Sequence, residues 1–151
     1  MRRSPSESGG ALVEAAIALP LLIVIALATA DFGRVFYTAM AVTHAVRAGA
    51  QYGAQNNQKW KDDSGMQTAA TDAASDITGF TPTASHACGC YNASTGAFIE
   101  APVGGCVGTC VSGSLWLTVT VNGTATFRTI TTYPGIPRTV TIARAARLRV
   151  Q

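Results

Sequence analysis

Four cysteines are the residues of this chain best suited to covalent or metal chemistry. One residue separates Cys88 from Cys90, and three residues separate Cys106 from Cys110. An even number of cysteines in an oxidising compartment first predicts disulfide bonds, which would stabilise a segment rich in glycine, serine and threonine. Zinc binding is the rival hypothesis, although neither spacing is the C-x₂-C of common zinc sites. Four cysteines allow three pairings, and the sequence does not choose among them.

Two histidines could take part in acid–base chemistry, but neither has the neighbours that nucleophilic catalysis needs. His44 falls in a helical pattern and His86 in an irregular segment, without a nucleophile and an orienting acid at a recognisable spacing. Both are interpreted as surface or packed side chains. The sequence therefore predicts no enzyme, no cofactor and no metal site. With 11 basic residues, 8 acidic residues and a net charge of +3, it also predicts no nucleic-acid surface.

Glu14 is a different kind of candidate, because it is an isolated carboxylate in an apolar run. Seventeen of the twenty positions from Ala11 to Ala30 are apolar, which is the length that a helix needs to cross about 30 Å of hydrocarbon. An ionised side chain at membrane depth costs roughly 2.5 to 3.5 kcal/mol, so the carboxylate is predicted to have a partner or a function. The alternative is a neutral glutamic acid near the membrane surface, since Glu14 lies close to the start of the run.

The apolar run has two simple interpretations, a plain single-span anchor and a secretory signal peptide. Arg2 and Arg3 precede the run and Asp31 follows it, so the positive-inside bias places the N-terminus in the cytoplasm. The sequence Ala28-Thr29-Ala30 matches a signal-peptidase site. In either case the chain would be a soluble periplasmic or single-span anchored binding protein with a disulfide-stapled loop.

The elements that must position these residues begin with one long helix. Apolar residues keep helical spacing beyond the span, which predicts a helix from near Ala11 to about Gln55. A short helix is predicted over about 65–78, with Gly79 at its end. Residues 81–113 show little periodicity and are predicted as mostly loop, with a strand near 86–91.

The C-terminal third changes to the alternation of strands. Residues 115–121 alternate apolar and polar side chains, and Asn122-Gly123 predicts a type I′ turn that returns as a strand over 124–132. A further strand is predicted over 139–150. The predicted fold is α+β, with a long N-terminal helix packed on a small antiparallel sheet. This segment also carries arginines without any acid, interpreted as a solvated strand face, with an acidic partner or an anionic lipid surface as alternatives. The arginines are Arg128, Arg138, Arg144, Arg147 and Arg149.

Four blocks of the N-terminal 55 residues resemble the TadE-like family of pseudopilins from tight-adherence, Flp-type pilus systems. The blocks are Gly9–Glu14, Leu19–Leu22, Asp31–Tyr37 and Ala45–Ala50. The family often has an aromatic residue directly after the glutamate, where this chain has Ala15. The resemblance implies a pilin-like fold and a minor pilin or pseudopilin that takes part in assembly of a type IV pilus or a related secretion apparatus.

The resemblance also implies processing by a prepilin peptidase between Gly9 and Gly10. Residues 1–9 would be a cytoplasmic leader, residues 10–30 the transmembrane half of the helix, and residues 31–151 an exported head. Glu14 would dock a neighbouring subunit. The implied partners are the peptidase, other pilins and pseudopilins, inner-membrane assembly proteins and membrane lipid, and the implied location is the inner membrane, with the head periplasmic or extracellular. The remaining motif residues are Asp31, Phe32, Gly33, Arg34, Arg47 and Gly49.

Overall fold

The computed structural model describes residues 5–101, 106, 110, 113–130, 132, 135 and 137–150, and for residues 5–8 it describes the backbone only. Residues 1–4 of the predicted leader and most of the predicted loop after Ala101 lie outside this part of the chain. Within it, the structure contains two α-helices, a short 3₁₀ turn and one four-stranded antiparallel sheet. The predicted α+β class, with a long N-terminal helix packed on a small antiparallel sheet, is confirmed.

Helix α1 runs without interruption from Pro5 to Gly53 and contains 49 residues. At 1.5 Å per residue its length is about 74 Å. Only the C-terminal part of α1 packs deeply on the rest of the chain, through buried side chains three or four residues apart. These side chains are Val42, Ala45, Val46 and Ala50.

Helix α2 (Asp63–Asp72) follows a 3₁₀ turn at Lys59–Lys61 and packs on α1. It is shorter than the predicted helix over 65–78, because the chain beyond Asp72 forms turns closed by hydrogen bonds between residues three apart. Gly79 ends this turn segment with a φ of +75°, a left-handed conformation that glycine adopts without strain.

The sheet has the strand order β2-β1-β3-β4, and all neighbouring strands are antiparallel. The core lies between α1, α2 and one face of this sheet. Alternate residues of β3 from Val119 to Phe127 are buried on that face, as are Ile142 and, less completely, Leu148 of β4. The strands are β1 (Thr81–Asn92), β2 (Ala97–Glu100), β3 (Ser114–Arg128) and β4 (Thr139–Arg149).

The prediction of a loop over 81–113 is wrong for residues 81–92 and 97–100, which form β1 and β2, whereas the strand predicted near 86–91 lies within β1. The sequence of β1 has little hydrophobic alternation, yet the strand pairs with β3 from Thr81 opposite Thr124 to Tyr91 opposite Ser114. Backbone pairing over this length, and not burial of an alternating apolar face, therefore defines β1.

The predicted hairpin at Asn122-Gly123 is also wrong. Both residues lie within β3, paired with β1 on one side and β4 on the other, and neither has the positive φ that a type I′ turn requires. A Cβ on Gly123 would lie 2.5 Å from the ring of Phe80 and 2.7 Å from Cγ1 of Val46. The glycine is therefore needed for the close approach of α1 to the sheet.

Candidate functional site

The residues predicted for processing and docking lie close together on the surface of α1. Gly9, Gly10 and Glu14 are exposed, and a Cβ added to either glycine meets no other atom within 4 Å. Gly10 and Glu14 are four residues apart on a helix, which places them about one turn, or about 6 Å, from each other along the axis. This segment of α1 is therefore accessible to another molecule.

Residues 11–30 of α1 present apolar side chains on every side. Leu21 to Ile25 are five consecutive apolar residues, each 50% to 63% exposed, so the exposure is not confined to one face. From Gly9 onward α1 is long and apolar enough to cross a membrane, and none of its most apolar window is buried. A helix that is hydrophobic all round is normally covered by a membrane or by a larger protein assembly. The other large exposed apolar residues here are Leu12, Val13, Ile17 and Leu19.

Asp31 marks the point where α1 joins the head. Its side chain is only 6% exposed, and both carboxylate oxygens accept a hydrogen bond from the backbone N–H of Ile130, each at 3.1 Å. Nη1 of Arg34 donates to Oδ1 of Asp31 at 3.1 Å. Hydrogen bonds to a charged group contribute roughly 1.5 to 3 kcal/mol. Asp31 therefore ties α1 to the chain that follows β3, a residue 99 positions away in sequence.

The residues beside Asp31 have different surroundings. The guanidinium of Arg34 lies 5.2 Å from the ring centroid of Phe127, a cation–π contact that strengthens the junction. Phe32 is 75% exposed, and a Cβ on Gly33 would meet only open space. The motif thus combines two residues that hold the head on the helix with two that leave its surface open to a partner.

Gly49 lies at the closest approach of α1 and α2. A Cβ at this position would lie 2.6 Å from the carbonyl oxygen of Met66 and 3.0 Å from Cβ of Ala70. Arg47 is exposed on the same helix. The structure therefore does not unite the predicted site residues: Gly49 belongs to the core of the head, Asp31 and Arg34 to its junction, and Glu14 to the exposed end of α1.

Two tyrosines of α1 donate hydrogen bonds to aspartates of the segment that follows the helix. The bond from Tyr37 to Asp76 raises the pKa of Tyr37 above its ordinary value of 10.0. The bond from Tyr52 to Asp62, at 2.9 Å, raises the pKa of Tyr52 in the same way. Asp62 also caps α2 by accepting from the N–H of Gly65 at 2.8 Å, which is the largest cause of a pKa lowered below 3.8.

All four cysteines form disulfides. Cys88 pairs with Cys106 and Cys90 with Cys110, with Cα–Cα distances of 5.7 and 5.6 Å. Cys88 is buried in the core of the head. The disulfide prediction is confirmed, and the zinc hypothesis is wrong because each sulfur is bonded to another sulfur.

His86 is an exposed side chain that is held by two contacts. His86 lies on β1, where Nδ1 is 2.9 Å from Oδ1 of Asp63 and the ring meets the edge of Trp60 at a centroid distance of 5.1 Å. These contacts join α2 and the 3₁₀ turn to the sheet. His44 is exposed on α1.

Four of the five C-terminal arginines lie at two ends of the sheet, and Arg144 lies in the middle of β4, opposite Gly123. Arg147 and Arg149 stack on aromatic rings, each 4.4 Å from a ring centroid. Arg128 and Arg138 lie at the other end of β3 and β4, where the N–H of Thr129 donates to the carbonyl of Arg138 at 3.0 Å. Nine residues of extended strand separate Arg138 from Arg147, a distance of about 30 Å. The sequence alone indicated a single positive segment and did not reveal this division.

Comparison with known proteins gives one match, which covers the part of the chain that contains α1. Residues 9–51 match the family model described as TadE-like protein, and this match includes Gly9, Glu14 and the segment from Asp31 to Gly49. No match was found among curated proteins or among solved structures. The matched residues are 43 of the 151 in the chain, so the sheet and the disulfides lie outside the match. The resemblance of residues 9–51 to the TadE-like family, a family of pilus components, is therefore confirmed, as the four sequence blocks predict.

Proposed function

We propose that this protein is a minor pilin or pseudopilin of a tight-adherence type IV pilus or a related secretion apparatus. One observation carries the proposal: residues 11–30 of α1 expose apolar side chains on all sides, directly after Gly9 and within the TadE-like segment. In this proposal residues 10–30 anchor the protein in the inner membrane, with the N-terminus cytoplasmic and the head exported. A prepilin peptidase removes residues 1–9, and the anchor later packs against other pilins.

Glu14 supplies the docking contact between subunits. Cleavage after Gly9 creates a positively charged amine on Gly10, one helical turn from Glu14. Within one helix the amine and the carboxylate lie about one turn apart along the axis. A neighbouring subunit that is shifted by one turn can therefore place its amine against this carboxylate. Each charge is costly when unpaired in apolar surroundings and tolerable when paired, which makes the pair a signal for register.

The head acts without catalysis in this proposal. Its cysteines are consumed in disulfides, and His86 is engaged by Asp63 and Trp60. The partners of the protein are the prepilin peptidase, other pilins and pseudopilins, and the inner-membrane assembly proteins.

Intact-mass measurement on membranes of the native host tests the processing step. We expect the mature protein to begin at Gly10, having lost nine residues. Loss of the residues up to Ala30 would instead identify a signal peptide and a soluble periplasmic protein, and an unprocessed chain would identify a plain anchored binding protein. Either result contradicts the proposal.

Replacement of Glu14 tests the docking step. We expect Glu14→Ala to insert into the membrane at least as well as the parent protein, because a charge is removed from the span, but to fail to enter the pilus apparatus. Glu100→Ala is the matched control, since it removes an exposed glutamate of the head. Pilus fractions that contain normal amounts of the Glu14→Ala protein would contradict the assigned role.

A further inference from the structure

Three arginines lie near the point where the apolar part of α1 ends. Arg34 lies four residues beyond Ala30, and its guanidinium contacts the ring of Phe127. Arg128 is the next residue of β3, and Arg138 is joined to Thr129 by a backbone hydrogen bond. All three side chains are exposed. We call Arg34, Arg128 and Arg138 the arginine collar.

The collar lies at the depth of lipid phosphates if residues 10–30 span the bilayer. Twenty-one helical residues extend about 32 Å, close to the roughly 30 Å of a hydrocarbon core. A headgroup layer adds roughly 5 to 7 Å on each side, which corresponds to roughly three to five further residues of helix. Asp31 to Arg34 therefore lie within that layer, and the contact of Arg34 with Phe127 brings the end of β3 to the same level.

Two hollows of different polarity flank Phe127 at this level. One is a cleft of about 610 Å³ whose lining includes Arg34, Arg128 and Asp76. The other is a crevice of about 230 Å³ lined mainly by apolar side chains, among them Phe32 and Val140. The crevice also reaches Ala28, which lies inside the apolar run. A cationic cleft beside an apolar crevice is complementary to a molecule with an anionic head and a hydrocarbon tail.

The three arginines of the collar outnumber the two acids at this level, so a net positive charge remains. Asp31 is engaged by Arg34 and by the N–H of Ile130. Asp76 accepts the hydroxyl of Tyr37. Arginine guanidinium groups bind phosphate oxygens through paired N–H donors, and basic residues beside a span attract anionic lipids.

We propose that the arginine collar binds the phosphate of an anionic phospholipid in the leaflet from which α1 emerges, with an acyl chain in the adjacent crevice. The proposal rests on the part of the proposed function that places residues 10–30 in a bilayer. It requires neither cleavage at Gly9 nor assembly into a pilus. The bound lipid would hold the head against the membrane surface in the unassembled protein.

Lipid retention by the full chain tests the proposal. The protein is purified in a mild detergent, mixed with phosphatidylglycerol or with phosphatidylcholine of the same chain length, and analysed by native mass spectrometry. We expect selective retention of phosphatidylglycerol. The variant Arg128→Gln/Arg138→Gln should lose this selectivity by about 30-fold, the combined effect expected from two arginines near an anionic surface. Equal retention of both lipids by the parent protein would overturn the proposal.

A matched variant separates the collar from general charge. Arg147→Gln/Arg149→Gln removes the same charge from the opposite end of β4 and should retain phosphatidylglycerol like the parent protein. An equal loss in both double variants would overturn the proposal, as would displacement of the lipid by an equimolar amount of inorganic phosphate. Far-UV circular dichroism confirms that each variant is folded, because tryptophan fluorescence would also respond to loss of the contact between Arg149 and Trp116. Because these measurements need no peptidase, an uncleaved protein that retains the lipid would contradict the proposed function and leave this inference standing.

Discussion

The two parts of α1 both carry apolar side chains, but these have opposite surroundings. In residues 11–25 the large apolar side chains are at least half exposed, whereas Val42, Ala45 and Val46 are fully buried against the head. One continuous helix therefore passes from a segment that the chain leaves uncovered to a segment that forms the chain's own core.

The difference follows from the size and placement of side chains. In the buried part, small residues such as Gly49 and Ala50 allow α2 and β3 to approach the helix closely. In the exposed part, five large residues in succession from Leu21 leave no small face on which a sheet could pack. A helix with apolar side chains all round cannot be covered by one sheet, so its N-terminal part needs a membrane or other subunits. The same hydrophobicity thus stabilises a fold in one part and provides an interface in the other.

The largest expected effect comes from placing the same charge in each part. Val46→Asp puts an unpaired carboxylate in the core and should destabilise the head by about 3 to 5 kcal/mol, enough to unfold many small domains. Val24→Asp should leave the head folded and reduce membrane insertion by roughly 2.5 to 3.5 kcal/mol. Urea unfolding of the full chain in detergent micelles and an alkaline-extraction assay of membranes measure the two effects. If Val24→Asp destabilised the head, the proposed difference between the two parts of α1 would be contradicted.

The sequence predicts the long helix and the strands with good alternation, because periodicity directly reports which side of an element is buried. The sequence-based prediction fails where the same residues are compatible with two different local structures. The pair Asn122-Gly123 is typical of a hairpin turn, but here the glycine is required by the distance to Phe80 and Val46, which only the tertiary structure reveals. The first part of β1, before residue 86, is missed for a related reason, since its pairing partner β3 lies further along the chain.

The candidate site is predictable to a different extent in its two parts. Glu14 is predicted from sequence because an isolated acid is unusual in an apolar run, and Gly9 is implied by the family resemblance; the roles of both stay predictions. The junction is not found, because the hydrogen bond between Asp31 and Ile130 joins residues 99 positions apart. Asp62 did carry a local signal, since an aspartate directly before a helical segment is a common N-cap.

The second largest effect compares two carboxylates of the same helix. Asp31→Asn replaces one accepting oxygen with an amide that cannot accept from Ile130, and should destabilise the junction by roughly 1.5 to 3 kcal/mol. Glu14→Gln should leave the stability of the head unchanged, because Glu14 lies in the exposed part of α1. Hydrogen exchange at the backbone amide of Ile130 provides the local measurement. Unchanged protection in Asp31→Asn would show that the junction is held by other contacts.

The third comparison makes the same Gly→Ala substitution at two positions of α1, with opposite expected effects on stability. Gly49→Ala forces α1 away from the backbone of Met66 and should destabilise the head by roughly 1 to 3 kcal/mol. Gly33→Ala adds a methyl group in open space and should stabilise the helix by roughly 0.5 to 1 kcal/mol. Thermal unfolding of both variants in the same detergent gives the sign of each change in stability. A destabilising Gly33→Ala would mean that the exposed part of α1 packs on something within the chain.

The smallest expected effect is the pH dependence that Asp62 gives to the buried end of α1. The N–H of Gly65 and the hydroxyl of Tyr52 lower the pKa of Asp62 in the folded head. Its carboxylate therefore stabilises the head above its ordinary pKa of 3.8, and this contribution is lost as the pH falls from 3.8 through the lowered folded value. Asp62→Asn keeps a good N-cap but removes the charge and one of the two oxygens that accept from Gly65 and Tyr52, so it should lower Tm at neutral pH.

The matched control for this charge lies at the other end of α2. Asp72→Asn removes a carboxylate near the helix C-terminus, where the helix dipole disfavours it, and should raise Tm slightly at neutral pH. The Tm difference between the parent protein and Asp62→Asn should shrink as the pH falls below 3.8, because the parent protein then loses the same charge. A difference that stays constant down to pH values well below 3.8 would mean that Asp62 acts through its shape alone. The buried end of α1 would then be stabilised by packing and not by charge. Packing against the head is also what distinguishes this end from the exposed end that carries Glu14.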